Sequence, residues 1–428
     1  MCTTYLATEV IDALREWDLI GLPRLVRLNP AVPWKTRGNG AVALRFGRGK
    51  GQPMLAGMIR DTPIYCYQDL IEPAPVDAVL GRCSMLLEKW SRTTEDASPG
   101  LVLSERLPSP SFYWKGVRDI VQKEDIEREL DRIGAKRVEL AGGRGIIGAT
   151  CAMSWRPKDR TYEVIAYRQR ERWGTARTID DSSVARMDEK FTTTFNNYDH
   201  MAGRRALSPH TPCPVLLGVR GDDPFHLPSA LQAMSTETVD RWLLWLTNQG
   251  TDDHIIRDWR TLVPDRSYEI LATVIGAPRT IKGGHVVVDT VTDKGAQHLQ
   301  MTAYEPSKEF RDVVRQLMPG DRIRALGELR AEPRTLNLEK LEVLSVVKVW
   351  RKTANPMCGA CGKSMQSLGA NAGYRCKKCG AKAAPGSATS EEAVRGLRKG
   401  WYEPSVCARR HLSKPLKRQL SVPRLTTL

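Results

Sequence analysis

Residues 358–379 read Cys358-Gly-Ala-Cys361-Gly-Lys-Ser-Met-Gln-Ser-Leu-Gly-Ala-Asn-Ala-Gly-Tyr-Arg-Cys376-Lys-Lys-Cys379, two C-x2-C knuckles separated by 14 residues. Each knuckle turns two thiolates toward one face, with Gly359, Gly362 and Gly380 supplying permissive backbone, and two such turns complete a tetrahedral zinc site. Four cysteine ligands, Cys358, Cys361, Cys376 and Cys379, leave no position for water, so the expected metal is a structural zinc. Cys2, Cys66, Cys83, Cys151 and Cys213 stand singly in apolar surroundings and read as small buried hydrophobes.

Immediately before the knuckles, residues 266–350 carry five β-branched or apolar runs and one amphipathic helix. Tyr268 to Ile275, Val286 to Val291 and Leu299 to Tyr304 read as strands. Pro306 to Met318 follows as a helix, with Phe310, Val313, Val314 and Leu317 on one face. Arg322 to Leu329 and Leu336 to Val347 complete the set. Three strands, a helix and two strands is the order of an OB-fold, a small barrel that commonly binds single-stranded nucleic acid.

The whole chain has 428 residues with 65 Lys+Arg, 49 Asp+Glu and a formal charge of +16, and its 41% hydrophobic content suits several soluble cores rather than a disordered chain. The charge is uneven. From Asn355 onward there are fourteen Lys/Arg and three Glu, so the last 74 residues hold +11 of that excess. Lys377 and Lys378 on the second knuckle, and Arg409, Arg410 and Lys414 beyond it, with Trp401, Tyr402 and His411 interleaved, read as a handle for a phosphate backbone. No apolar run approaches the roughly 20 residues of a membrane-spanning helix. The opening Met1-Cys-Thr-Thr-Tyr-Leu-Ala-Thr-Glu9 lacks a basic region, so the expected compartment is the cytoplasm, with no membrane partner.

Further upstream, Lys123 to Ile133 reads as a charged amphipathic helix closed by Gly134, and Lys136 to Leu140 as a strand. Gly143-Arg-Gly145-Ile-Ile-Gly148 matches the letters of a dinucleotide-binding fingerprint, but no acid ends a second buried strand about 20 residues on, so an α+β ferredoxin-like sandwich fits better. Ser235 to Asn248 reads as a packing helix presenting Val239, Trp242, Leu243 and Leu246. No P-loop is present.

Residues 23–41 read Pro-Arg-Leu-Val-Arg-Leu-Asn-Pro-Ala-Val-Pro-Trp-Lys-Thr-Arg-Gly-Asn-Gly-Ala. A short strand, Leu25 to Leu28, enters a loop where Asn29, Lys35, Thr36, Arg37 and Asn39 offer donors and Gly38 and Gly40 allow close backbone approach. By chemistry alone the loop is either an anion cradle or an ordinary basic loop.

This segment, together with Met1-Cys-Thr-Thr-Tyr-Leu, Gly143-Arg-Gly-Ile-Ile-Gly, Thr211-Pro-Cys-Pro-Val-Leu-Leu-Gly-Val-Arg-Gly221, Thr247-Asn-Gln-Gly-Thr-Asp252, the two knuckles, Trp401-Tyr-Glu-Pro and Arg409-Arg-His-Leu, resembles the archaeal tRNA(Ile) 2-agmatinylcytidine synthetase family. The resemblance implies a multi-domain α+β protein. Its parts would be a kinase-like domain (1–112), a ferredoxin-like domain (113–225), a helical connector (226–265), an OB-fold (266–350), a zinc ribbon (355–382) and a basic tRNA-binding tail (390–428). It implies an ATP- and magnesium-dependent ligase that joins agmatine to C2 of the wobble cytidine of the CAU anticodon of isoleucine tRNA, through a phosphorylated cytidine, so that AUA is decoded. It further implies Thr3 as a self-phosphorylated threonine and Lys35 and Arg37 as stabilisers of the transferring phosphoryl group. Asn29, Thr36, Gly38 and Asn39 would bind ATP phosphates, and Asp199, Thr211, Pro212 and Cys213 are candidates for the agmatine pocket.

One departure accompanies the resemblance. In the family a Gly-Ile-Asp-Asp-Thr-Asp-Ser strand precedes the Met-Cys-Thr-Thr segment and carries the expected magnesium ligands. Without them the polypeptide as it stands is expected to be inactive. A competing reading is a non-catalytic single-strand-binding protein built on the OB-fold and ribbon.

Overall fold

The computed structural model describes residues 2–34, 38–91 and 97–421. Its first part runs α1 (Thr3–Ala13), β1 (Asp18–Ile20), β2 (Arg24–Arg27), β3 (Gly40–Ala43), β4 (Phe46–Lys50), β5 (Met54–Ile59), β6 (Thr62–Tyr67), β7 (Asp69–Pro73) and α2 (Val76–Trp90). A small module follows, with β8 (Gly100–Leu103), α3 (Ser111–Arg118), α4 (Lys123–Ile133), β9 (Lys136–Glu139) and α5 (Gly145–Ser154). The chain continues through β10 (Thr161–Arg168), α6 (Asp181–Lys190), β11 (Tyr198–Asp199), β12 (Arg204–Arg205), β13 (Val215–Gly221), α7 (Leu227–Gln232) and β14 (Val239–Thr247).

Helix α4 forms where the sequence places it: Ile126, Leu130 and Ile133 share the buried face, and Gly134, at φ +69°, ends it in the left-handed cap that favours glycine. Strand β9 pairs only with β8, antiparallel, so the glycines after it do not open a parallel dinucleotide-binding sheet. Gly148 instead lets α5 approach β3, since a Cβ there would stand 3.3 Å from Ala41.

The helix expected over Ser235–Asn248, and with it the purely helical connector, is corrected to a strand. β14 pairs with β10, with β5 and with β2. Between Arg241 and Thr247 only Trp242 and Leu246 escape full burial. A strand covered on both faces loses its two-residue alternation, and its continuous apolar run then imitates helical spacing. Because β14 is shared, the regions expected as separate domains over 1–112 and 113–225 contribute to one ten-stranded sheet, ordered β13-β10-β14-β5-β6-β1-β4-β7, with β2 and β3 branching from β14. Helix α1 packs on one face of it through Tyr5, Ala7 and Ile11 against Leu25, Ile165, Leu243 and Trp245.

The next unit comprises β15 (Ile255–Ile256), β16 (Arg266–Val274), β17 (Arg279–Thr280), β18 (Val286–Thr292), β19 (His298–Ala303), α8 (Phe310–Arg315), β20 (Arg322–Leu329) and β21 (Thr335–Ser345). Pairings β16-β20-β21-β19-β18-β16 close a five-stranded barrel in which β19 and β21 run parallel. Phe310 and Val314 of α8 join the core of that barrel with Tyr268, Val288 and Ile323.

The last elements are β22 (Val349–Ala354), β23 (Gln366–Ser367), β24 (Tyr374–Arg375), β25 (Lys382–Ala383), β26 (Thr389–Ala393), β27 (Gly400–Tyr402) and α9 (Leu416–Ser421). The pairing of β22 with β26 frames the knuckles, so the ribbon unit reaches beyond residues 355–382 on both sides. The expected basic tail is corrected as well: β27 extends the barrel along β21, and Gly250 and Asp252 donate backbone hydrogen bonds to the carbonyls of His411 and Leu412. The chain end is thus a strap laid across sheet and barrel. Among the described residues no helix is long and apolar enough to cross a membrane.

Candidate active site

The start of α1 lies against a cavity of about 2440 Å³. Thr3 occupies the first helical position, half-buried, and lines that cavity beside Cys2. The helix is fixed from below: Arg241 of β14 donates to Thr8 Oγ1 (3.0 Å) and Glu9 Oε1 (2.6 Å), and its guanidinium lies 4.7 Å from the Tyr5 ring.

The β2–β3 hairpin brings its loop to the same cavity through Trp34, Asn39 and Gly40. The Arg144 guanidinium, from the glycine turn before α5, stacks 4.6 Å from the Trp34 ring and lines the cavity too. Asn29 does not serve as a phosphate donor, contrary to expectation. It is buried, its Nδ2 donates to the Asp265 carbonyl (2.9 Å), and its Oδ1 accepts from the Ala31 amide (2.9 Å). Asn39, at φ +40°, donates its Nδ2 to the Asn29 carbonyl (2.8 Å), so this pair anchors the loop. Lys35, Thr36 and Arg37 lie outside the described residues. Gly38 is required by packing: a Cβ there would stand 2.8 Å from Arg27 Nη1.

Beneath Gly38 is a group of side chains that the sequence reading did not single out. Arg27 ends β2, Glu163 lies on β10, and Arg220 faces Glu163 across the β10–β13 register with Nε 3.1 Å from Oε1. Glu163 also accepts from Gln249 Nε2 (2.6 Å), and Gly218 leaves the space its carboxylate needs. Arg220 donates Nη1 to the Asn196 carbonyl (3.1 Å). The strap delivers His411, whose ring is within 3.6 Å of the Gly38 Cβ position. The imidazole is open to solvent yet set deep in the molecule, and the Arg27 charge, burial and the Arg220 charge together hold it well below its ordinary pKa. Arg220 and His411 fall in Leu-Leu-Gly-Val-Arg-Gly and Arg-Arg-His-Leu, segments that carry the family resemblance, and that was the available signal.

From the other side, Pro212 and Cys213 line the same cavity as Thr3, on a turn held by Arg177, which donates to the carbonyls of Pro209 (2.8 Å) and Thr211 (3.0 Å). Thr211 itself is exposed and outside the lining. Asp199 is corrected: it is buried in the β11–β12 hairpin, away from the cavity lining, and accepts from the backbone of Ala202 (3.1 Å) and Cys407 (3.2 Å). Burial would raise its carboxyl, but these N–H donors hold it below the usual range.

Family models of the TiaS TCKD domain, the TiaS FLD domain and the TiaS C-terminal zinc ribbon domain match residues 1–142, 143–254 and 355–397. The tRNA(Ile) 2-agmatinylcytidine synthetase TiaS of Methanocaldococcus jannaschii is 35% identical over 427 residues, spanning 97% of this chain and 95% of its own. The chain belongs to the tRNA(Ile) 2-agmatinylcytidine synthetase family. The member from Methanopyrus kandleri is 38% identical, with 97% of this chain and 93% of that one covered. A crystal structure of TiaS in complex with its isoleucine tRNA and ATP superimposes with a TM-score of 0.83 at 35% identity, covering 98% of this chain and 94% of its own. A complex of TiaS with the same tRNA, AMPCPP and agmatine does so with a TM-score of 0.81 at 32% identity and the same coverages.

In this family member the four ribbon cysteines converge, with their Sγ atoms all within 4.8 Å of one another. Gly362 and Gly380, at φ +65° and +76°, close the two knuckles by donating to the carbonyls of Cys358 and Cys376. Backbone amides of Cys379 and Lys378 lower the Cys376 thiol to about 6, and those of Ala360 and Cys361 lower Cys358, which prepares thiolates for a metal. The donor set fits a structural zinc. Lys377 and Lys378 are exposed on the second knuckle. The remaining expected RNA contacts are corrected. Arg409 pairs with Glu403 and donates to Asn196 Oδ1, Arg410 pairs with Glu328 and Glu339, and Lys414 pairs with Asp159. These cations hold the strap to the body because buried carboxylates await them there.

Proposed function

We propose that this chain, as an ATP-dependent ligase, attaches agmatine to C2 of the wobble cytidine of the CAU anticodon of isoleucine tRNA, giving 2-agmatinylcytidine, the form that reads AUA. The observation that carries this reading is the large cavity onto which Thr3, the Asn39–Gly40 turn and the Pro212–Cys213 turn all open, in a chain similar over nearly its whole length to proteins solved with that tRNA, ATP and agmatine. In this reading ATP phosphorylates the C2 oxygen of the cytidine. The agmatine amine then attacks C2, loses a proton, and phosphate leaves.

Thr3 is placed to accept a phosphoryl group, with its residue facing the cavity from the first turn of α1. Lys35 and Arg37 would offset charge developing on the transferring group, and Thr36, Gly38 and Asn39 would seat the nucleotide phosphates. Pro212 and Cys213 would wall the agmatine site. Among the described residues the carboxylates lining the cavity are Glu105 and Asp119, and Asp119 is in an ion pair with Arg266 at 2.7 Å. These two do not compose a magnesium site. The first two regions would be the kinase-like and ferredoxin-like parts of one sheet, the closed barrel an OB-fold, and the ribbon, with zinc bridging its knuckles, a cationic arm carrying Lys377 and Lys378 to the RNA.

The test is to incubate the full chain with a transcript of the CAU-anticodon isoleucine tRNA, ATP and agmatine, then measure the mass of the wobble nucleoside. Agmatine incorporation into this tRNA and not into an elongator methionine tRNA is the expected result. Binding of both tRNAs without product would return the reading to a non-catalytic nucleic-acid-binding protein.

A further inference from the structure

Arg27, Arg220 and His411 stand together with one carboxylate, Glu163, between them. That carboxylate is shared further with Gln249, so it neutralises only part of the two guanidinium charges. Arg27 lies deep in the molecule, and its Nε is buried with no hydrogen-bond partner among the described residues. Leaving a charged donor without an acceptor is costly, and such a group normally marks a missing partner. The missing partner here is an anion. The groups facing the imidazole are both cationic, Arg27 from β2 and Arg220 from β13, while Glu163 from β10 faces the two arginines. The imidazole's neighbours on the strap, Arg409 and Arg410, are already paired with Glu403, Glu328 and Glu339. The Cys2 thiol, at the start of α1, also lies within reach of the Arg27 charge. Burial pushes that thiol up, so it stays neutral and does not complete the balance. Gly38 keeps the roof over Arg27 free of a side chain.

We propose that Arg27, Arg220 and His411 form a seat for a phosphate group, with the imidazole taking up a proton as the phosphate binds. Protonated, the imidazole raises the net charge of these three side chains and Glu163 to two positive units, which a phosphate dianion neutralises. Arg27 and Arg220 present planar N–H forks suited to tetrahedral oxyanions, and the imidazolium supplies a further donor. The proposal deepens the function proposed above, in which a phosphoryl group is transferred and then released at this end of the chain. The phosphate could be the terminal group of a nucleotide or the free ion.

The test is a proton–nitrogen NMR titration of the histidine rings in the full chain, with the His411 signal assigned by comparison with His411→Gln. It is run in chloride, with inorganic phosphate and with a non-hydrolysable ATP analogue at matched ionic strength. His411 should remain neutral down to below pH 6 in chloride, and its midpoint should rise by at least one unit, a tenfold change in proton affinity, when either ligand saturates. A rise with inorganic phosphate identifies the free ion as an occupant, and a rise with the analogue alone identifies the nucleotide's terminal phosphate. An unchanged midpoint with both overturns the proposal. Arg220→Gln should weaken phosphate binding about tenfold, on the scale of one charge-assisted contact, and undiminished affinity in a folded Arg220→Gln variant would also overturn it. If wild-type protein fails to modify the isoleucine tRNA yet His411 responds to phosphate, the agmatine reading falls and the phosphate seat stands.

Discussion

Lys340 Nζ lies 2.5 Å from Asp252 Oδ2, and both side chains are buried where the barrel meets the ten-stranded sheet. Lys340 also donates to the Lys414 carbonyl (2.8 Å), and Asp252 Oδ1 accepts the Lys414 amide (2.7 Å). One ion pair therefore joins β21, the segment after β14 and the strap. Removing a single partner strands a buried charge, so Lys340→Met should lose about 3–5 kcal/mol of unfolding free energy. Lys340→Met combined with Asp252→Leu should recover part of that loss. Urea denaturation of the three proteins checks this, and a loss in the single variant below about 1 kcal/mol would show the pair to be solvated.

Glu339 on β21 is a second member of this joint, paired with His254 Nε2 at 2.9 Å and with Arg410. Burial would raise its carboxyl, but the neighbouring His254 and Arg410 charges and the His254 hydrogen bond bring it down to about 2. A depressed carboxylate contributes stability above its unfolded pKa, near 4.3, and loses it as pH falls toward the folded value. Stability should therefore decline between about pH 4.5 and 2 with a contribution from this group on the order of 3 kcal/mol. Glu339→Gln should be less stable at pH 7 and show a flatter acid limb. Denaturant midpoints taken across that pH range are the measurement, and an acid limb parallel to wild type would refute the assignment.

The same residues show what the sequence could and could not disclose. The barrel was legible because its strands are short, β-branched and cut by glycine turns, and the knuckles because cysteine spacing is itself the geometry. β14 was not, since burial on both faces erased the periodicity that separates a strand from a helix. The strap illustrates a different limit: Arg409, Arg410 and Lys414 look like a free cationic tail until Glu403, Glu328, Glu339 and Asp159, distant in sequence, arrive to pair them. Arg27 and Arg220 lie 193 positions apart in the chain and became neighbours of His411 only through the shared sheet and the strap.

Cysteine replacement separates ribbon from body. Cys361→Ser removes one of four convergent ligands, and structural zinc sites tie their folding free energy to the metal. Zinc content should fall from one per chain toward none, and amide protection should vanish over residues 355–393 while β10, β14 and the barrel strands keep theirs. Affinity for tRNA should drop and its salt dependence flatten, because Lys377 and Lys378 would no longer be held as a pair on one turn. Zinc measurement with hydrogen exchange decides the outcome, and loss of protection throughout the sheet would show that the ribbon is not an independent unit.

Gly38 offers the most direct way to disturb the phosphate seat without dismantling the fold. A Cβ at this position would come within 2.8 Å of Arg27 Nη1, the far end of a flexible side chain, and within 3.6 Å of the His411 ring. Because a guanidinium can swing aside, Gly38→Ala should change the unfolding temperature by no more than about 2 °C, a shift below ~1 kcal/mol for a chain of this size. The displaced Arg27 would no longer aim at the bound anion. A misplacement of about 1 Å in a charged contact costs on the order of tenfold to a hundredfold in rate, so agmatine incorporation should fall by that factor. The depressed pKa of His411 should move back toward its ordinary value as the Arg27 charge recedes. Rate and His411 titration must shift together, and a slowed variant whose histidine titrates as in wild type would place the effect in the backbone of the loop instead of in Arg27.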